Sequence, residues 1–268
     1  MTPSKKAAMK LNIIFNEDCL LTMKRIPDNF VDLILTSPPY DNLRSYHGAY
    51  FCFEKTANEL FRILKMGGLL VWIVSDATNR GNESGSSFKQ ALYFKETGFN
   101  LFDTMIYAKH PRGAVGNNKT YWQSFEYMFV MSKGKPKTIN LLLDRKNLES
   151  RDGDKGTKRL TDGRRIKLSR KGYGEYGRRT NIWCYHVGKG HSTKDEIAFE
   201  HPAIFPEELA KDHILSWSNM GDLVYDPFMG SGTTAKMAII TERKYLGSEI
   251  SKEYYEIALK RLQQHNLQ

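Results

Sequence analysis

The sequence predicts an α/β protein built on one doubly wound, mostly parallel sheet, with a basic region inserted into it. Three observations carry this reading. Strand-like apolar runs alternate with helix-like segments from Leu11 to Met131 and again from Pro206 to Gln264, the pattern of a sheet covered by helices on both faces. A strand, a glycine-rich turn and a helix stand at "LVYDPFMGSGTTAK", so near the end of the chain that the rest of a nucleotide-binding sheet must come from earlier residues. The charge is uneven as well. From Met131 to Asp195, 18 Lys and Arg face 7 Asp and Glu, and the remainder is close to neutral within a net charge of +10.

Leu11–Phe15 reads as a short strand, Asp18–Arg25 as a short helix and Val31–Thr36 as a buried strand. Two prolines, Pro38 and Pro39, forbid any continuation of that strand or a helical turn after it. Ala57–Leu64 is amphipathic, with Leu60, Phe61 and Leu64 on one face, and Gly67-Gly68 are expected to stop it. Leu69–Val74 is a second buried strand. Phe88–Glu96 is a helix ended by Gly98, and Phe102–Tyr107 and Glu126–Met131 are further strands. Pro206 belongs at the first position of the next helix. "DLVYD" is a strand, Gly232–Ile240 a helix and "YLGSEI" a strand. Ser251 caps a last helix, Tyr254–Gln264. The domain reading is a catalytic and cofactor-binding domain of 1–132 and 196–268, interrupted by a basic recognition insertion of 133–195.

Several classes are excluded. No run of about 18 apolar residues is present, so no membrane span is expected. "MTPSKKAAMK" lacks the apolar stretch of a signal peptide, and Cys19, Cys52 and Cys184 form no CxxC pair. A reducing cytoplasm and no metal site are the expectation. The basic surplus points to a polyanion, nucleic acid above all, with a solvated basic loop as the plainer alternative.

Gly230, Gly232 and Ala235 satisfy G-x-G-x-x-A, and Glu249 ends the following strand. Such glycines admit a nucleoside close to the backbone, and such an acid bonds ribose hydroxyls. A phosphate-gripping GxxxxGK[ST] loop has no match. Only 19 residues follow Glu249, enough for one helix. Leu11–Phe15 is therefore expected beside "YLGSEI", and Val31–Thr36 beside "DLVYD". That brings Ser37, Pro38, Pro39 and Tyr40 to the glycine turn at the ligand-binding edge of the sheet.

"TSPPY", "HPAIFP" and "DPFMGSGTT", in that order, closely resemble the signature motifs of the permuted (beta-group) DNA amino-methyltransferases, over nearly the whole chain outside the basic segment. The resemblance implies a circularly permuted class I methyltransferase sheet, S-adenosylmethionine as cofactor and double-stranded DNA as partner. It also leaves room for a homodimer and for a cognate restriction enzyme. It further implies that Asp226, Pro227, Phe228, Gly230, Ser231, Gly232, Thr233 and Thr234 line the cofactor, with Glu249 on its ribose. Phe205 and Pro206 would lie near its methionine part and Asp18 and Cys19 beside its adenine, with Ser37 also among the cofactor-binding residues, although a lone Cys19 equally suits a core.

An exocyclic amino nitrogen is a poor nucleophile because its lone pair is delocalised into the ring. Ser37 Oγ and the Pro38 carbonyl can accept its two N–H bonds and turn that lone pair toward a methyl group, with Pro39 adding rigidity. Tyr40 can stack on a flipped base. Arg164, Arg165, Lys167, Arg170, Lys171, Arg178 and Arg179 are the candidate DNA contacts. In the family, Ser ahead of Pro-Pro is commoner among cytosine-N4 enzymes and Asp or Asn among adenine-N6 enzymes, so N4 is favoured and N6 stays open. Cytosine C5 is disfavoured, because no cysteine follows a proline. Two readings from other classes remain at this point: a nicotinamide-dependent oxidoreductase, resting on GxGxxA and Glu249 alone, and a DNA-binding protein with an inactive core.

Overall fold

The computed structural model describes residues 9–39, 52–110, 121–147, 156–167 and 174–265. Tyr40, Arg170 and Lys171 lie outside them. In chain order the first half contains β1 (Ile13–Phe15), α1 (Cys19–Arg25), β2 (Val31–Thr36), α2 (Phe53–Ile63), β3 (Leu64–Val74), the short β4 (Thr78–Asn79) and β5 (Asn82–Glu83), α3 (Ser86–Thr97), β6 (Asn100–His110) and β7 (Phe125–Ser132). Then follow β8 (Arg145–Lys146), β9 (Thr157–Arg159), β10 (Arg165–Lys167), β11 (Tyr176–Gly177), β12 (Ile182–His186), α4 (Glu207–Trp217), β13 (Leu223–Asp226), α5 (Thr233–Ile240), β14 (Lys244–Ser248) and α6 (Lys252–Gln264).

Eight strands form one sheet in the order β1-β14-β13-β2-β3-β7-β6-β12. All neighbours are parallel except β7, which runs antiparallel to both β3 and β6. The two expected pairings are present. Ile13 faces Leu246 across β1 and β14, and Val224 faces Leu33 across β13 and β2. Both β2 and β13 therefore point their carboxyl ends at the same edge.

Alternation along the buried strands divides the core. Leu70, Trp72 and Val74 of β3 join Met23 of α1, Leu60 and Ile63 of α2 and Phe94 of α3 in one layer. On the other face α4 packs on α5 and α5 on α6, and His213 Nε2 of α4 lies 3.1 Å from the Met128 sulfur of β7. Trp72 is the pivot of the first layer. It is fully buried, its ring lies edge-on to Phe94 at 5.1 Å, and its Nε1–H donates to Gln90 at 2.8 Å.

Three expectations about elements need correction. α2 begins earlier, at Phe53, and passes into β3 at Leu64 without any glycine stop. Gly67 sits inside β3 at φ +85°, where a Cβ would lie 2.4 Å from Lys137, so its small size is used for packing. Pro206 caps α4 from just outside the helix, its φ of −62° serving the approach. β12, drawn from the segment read as insertion, is the outermost strand of the main sheet, parallel to β6. The sequence signal was lost there because Ile182–His186 alternates exposed and buried residues over only five positions.

Leu141–Thr180 is a separate compact unit. In it β8 pairs with β11 and β9 with β10, both antiparallel. Arg179 is held by Asp144, and Arg164 by Asp162 at 2.8 Å. Every residue of β9 and β10 is exposed, and Arg159 faces Arg165 across the hairpin.

Replacing Trp72 with Ala is expected to cost about 4 kcal/mol, by cavity formation and by leaving the Gln90 amide unpaired. Urea denaturation at neutral pH measures it, and a loss below ~1 kcal/mol would mean the layer repacks around the missing ring.

Candidate active site

At the carboxyl edge of the sheet one cavity of about 1360 Å³ is lined by the turns after β2, β3 and β13, by the end of β14 and by the segment entering α4. It gathers Asp18, Cys19, Ser37, Pro38, Pro39, Phe205, Pro206, Asp226, Pro227, Phe228, Gly230, Ser231, Thr233, Thr234 and Glu249. Residues from positions 18 to 249 thus meet because strands distant in sequence are adjacent in space.

Asp226, the last residue of β13, is buried, and its carboxylate joins three pieces of the site. Oδ1 accepts from Thr36 Oγ1 at 2.6 Å and from the Phe228 N–H at 3.0 Å, and Oδ2 accepts from Thr234 Oγ1 at 2.6 Å. One side chain therefore fixes the residue before Ser37, the turn after β13 and the first turn of α5. Burial pushes its carboxyl up to about 6, against the pull of these donors. Glu249 closes the other side of the glycine turn. Its Oε2 accepts from the Gly230 N–H and its Oε1 from the Ser251 N–H, each at 2.8 Å, while burial raises its pKa. Each of these oxygens retains a second lone pair for a ligand hydroxyl.

The two glycines of the turn have different jobs. Gly230 lines the cavity at φ +52°, and a Cβ there would meet the His201 ring at 3.1 Å. Gly232 is not among the lining residues. At φ +82° it caps α5, and a Cβ there would lie 3.0 Å from that of Ala258 in α6. In this position Gly232 permits a tight turn and close helix packing. Asp18 caps α1, accepting from the Leu20 N–H at 2.7 Å. Burial, with Asp18 adding to it, pushes the Cys19 thiol up to about 12, which makes it inert as a nucleophile.

Behind the glycine turn lies a buried ion cluster that the sequence reading missed. Arg261 of α6, fully buried, donates to Asp195 at 2.7 Å, to Glu207 at 2.5 Å, to the Ser231 carbonyl at 3.1 Å and to Thr233 Oγ1 at 2.8 Å. Lys236 of α5 donates to the same two carboxylates, each at 2.7 Å, and His265 lies 2.8 Å from Asp195. Burial raises both carboxyls, but the donors outweigh it and hold Asp195 and Glu207 below the usual carboxylate range. One signal was available: Lys236 interrupts "TTAKMAII", and a charge on a buried helix demands a partner. His201 and Tyr254, whose rings meet at 4.3 Å, also line the cavity unanticipated. So do Ser75, Gln123 and the Lys109–Glu126 ion pair, at 2.5 Å.

Residues 31–260 match the model of a family described as DNA methylase, whose members act on amino nitrogens N6 or N4. The chain belongs to this DNA amino-methyltransferase family. It is 58% identical over 245 residues to the orphan methyltransferase M.BamHII of Bacillus amyloliquefaciens, covering 90% of this chain and 92% of the relative. It is 31% identical over 259 residues to the DNA adenine methyltransferase YhdJ of Escherichia coli K12, covering 93% and 82%. The solved structure of TTHA0409 from Thermus thermophilus, complexed with S-adenosyl-L-methionine, shares the fold with a TM-score of 0.61 at 23% identity, over 94% of each chain. The protein is thus a DNA amino-methyltransferase, and its cofactor is S-adenosylmethionine. The cavity suits that molecule: it offers carboxylates for a cation and hydroxyls, a glycine turn for close approach and apolar Phe205, Pro206 and Phe228. Among the described residues no helix is long and apolar enough to cross a membrane, and no group of three ligating side chains could hold a metal ion.

Arg261→Met is expected to destabilise the protein by about 3 kcal/mol or more at pH 7, because the buried Asp195 and the half-buried Glu207 lose their main partner. Carboxyls with lowered native pKa contribute stability that is complete above their ordinary values of 3.8 and 4.5, and lose it as pH falls through the native ones. The gap between wild type and variant should therefore narrow on acidification below about pH 4, as read from urea melts at both pH values. A constant gap would assign the loss to packing.

Proposed function

We propose that the protein methylates N4 of cytosine in double-stranded DNA, acting on a base turned out of the helix. The observation that carries this is Ser37 ahead of Pro38-Pro39, at the cavity that also holds the glycine turn. Ser37 Oγ and the Pro38 carbonyl accept the two N–H bonds of the amino group. This localises the nitrogen lone pair and aims it along one direction. Pro38 and Pro39 keep that carbonyl from rotating, so little reorganisation is left for the reaction itself. Tyr40 stacks on the base, by resemblance to the family. No general base is required, since the amino group loses its proton after it has become cationic.

The cofactor supplies a methyl group on a cationic sulfur. Asp226, Phe228, Gly230, Ser231, Thr233 and Thr234 hold it, with Glu249 on the ribose hydroxyls, Phe205 and Pro206 at the methionine end and Asp18 and Cys19 beside the adenine. The exposed cations of β9 and β10, among them Arg165 and Lys167, together with Arg164, Arg178 and Arg179, serve phosphate contacts. The name orphan methyltransferase on the 58% identical relative supports a chain that acts without a paired restriction enzyme.

Adenine N6 is the second reading, and the observation in its favour is the similarity to YhdJ. Nucleoside mass spectrometry of DNA methylated by the protein is expected to give N4-methylcytosine. N6-methyladenine without it would reverse the order of the two. Ser37→Ala should lower kcat about 10²-fold, the effect of removing one preorganised hydrogen-bonding group, with cofactor affinity unchanged in calorimetry.

The Asp226 carboxyl, at about 6 in the free protein, links cofactor binding to pH. A cationic ligand favours the ionised form, so affinity should rise about tenfold or less between pH 5 and 7. Asp226→Asn should flatten that dependence. A pH-independent wild-type affinity would show that the cation sits away from this carboxylate.

A further inference from the structure

Two large aromatic side chains stand in water at the rim of the cavity. Tyr121 is 102% exposed and lines the cavity, and Trp122, beside it, is 55% exposed. Their position is anchored from below. Gln123 Nε2 donates to Ser75 Oγ at 2.8 Å, and the Ser124 carbonyl accepts from the Lys109 N–H at 2.8 Å. The next residues form β7, which is held on both sides in the centre of the sheet. The rings are therefore presented from a fixed footing. The cavity beside them carries the cations Arg80, Lys109 and Lys189 along its lining, of which Lys109 is paired with Glu126 at 2.5 Å and Lys189, on the surface, with Glu196 at 3.7 Å. Water-exposed aromatic rings next to a cation-bearing cavity suit one occupant, a stack of bases with phosphates around it.

We propose that Tyr121 and Trp122 form a wedge that enters the duplex beside the target base and fills the stack once that base has turned into the cavity. This rests on the reading of the cavity as the seat of a flipped base. Extruding a base opens a gap between its two neighbours and costs their stacking; an aromatic ring in that gap restores part of it. The wedge thus lowers the free energy of the flipped state without touching the reacting nitrogen. It is a positioning device, and its effect depends on how firmly the target base is paired.

That dependence supplies the test. Two duplexes carry the site found by methylation-aware sequencing, one fully matched and one with an abasic residue opposite the target base. Methyl transfer by the wild type onto the matched duplex tests the function; the ratio between duplexes tests the wedge. The double variant Tyr121→Ala, Trp122→Ala should lose about tenfold or more in kcat/KM on the matched duplex, in line with the worth of base–aromatic stacking. It should come within about twofold of the wild type on the abasic-partner duplex, where little pairing is left to break. Tyr121→Phe, Trp122→Phe should retain most of the activity on both. Cofactor affinity and melting temperature should stay unchanged, since both side chains are exposed. An equal loss on both duplexes, no loss on the matched one, or a change of oligomeric state in the double variant in place of a change in DNA turnover would overturn the wedge.

Discussion

The active edge of this protein depends on the pairing of Arg261 and Lys236 with Asp195 and Glu207. A glycine turn is by nature the loosest part of a nucleotide site, because glycine gives up the most conformational freedom on ordering. Here the turn is fastened from behind. Arg261 reaches from the last helix to the Ser231 carbonyl and the Thr233 hydroxyl while neutralising two carboxylates that enter from other segments. Each charge would be costly to bury alone, so the four are tolerable only as a set. The set in turn joins α5, α6, the start of α4 and the segment before it.

The front of the turn is governed by Asp226. Its three accepted hydrogen bonds tie β2, β13 and α5 at the point where the sheet changes its direction of winding. The residue that precedes Ser37 and the residues around the glycine turn share one carboxylate, so a shift of either is felt by the other. This is why a side chain with a raised pKa sits in the centre of the site and not at its mouth: its burial keeps water from competing for the donors it organises.

Much of this was legible in the sequence. The parallel pairs β1–β14 and β2–β13 followed from the glycine motif lying so near the end of the chain, and the gathering of Ser37, Asp226 and Glu249 followed from those pairs. Ser251 as a helix cap could be read directly, since capping is local chemistry, and its Oγ does accept from the Tyr254 N–H. The ion cluster was hidden because its members lie at positions 195, 207, 236 and 261, and no short-range pattern links them. Gly232 is the converse case. Its motif was plain, but a motif does not say whether the missing side chain makes room for a ligand or for a neighbouring helix. β12 escaped because five residues that alternate exposed and buried, at the end of a long basic segment, form too short a pattern to stand out from it.

The pairing of β1 with β14 has a consequence for how the molecule comes into being. Asn16 and Glu249 are joined across a separation of 233 residues. During synthesis, β2 and the Ser37-Pro38-Pro39 segment after it leave the ribosome long before β13, the strand that lies beside β2. Closing such a span has a high entropic cost and slows folding, in keeping with the general effect of distant contacts on rate. A chain that still lacks β13 and β14 carries β2 and Ser37 without the strand and turn beside them, so the cavity at this edge is complete only once nearly all of the sequence has been made.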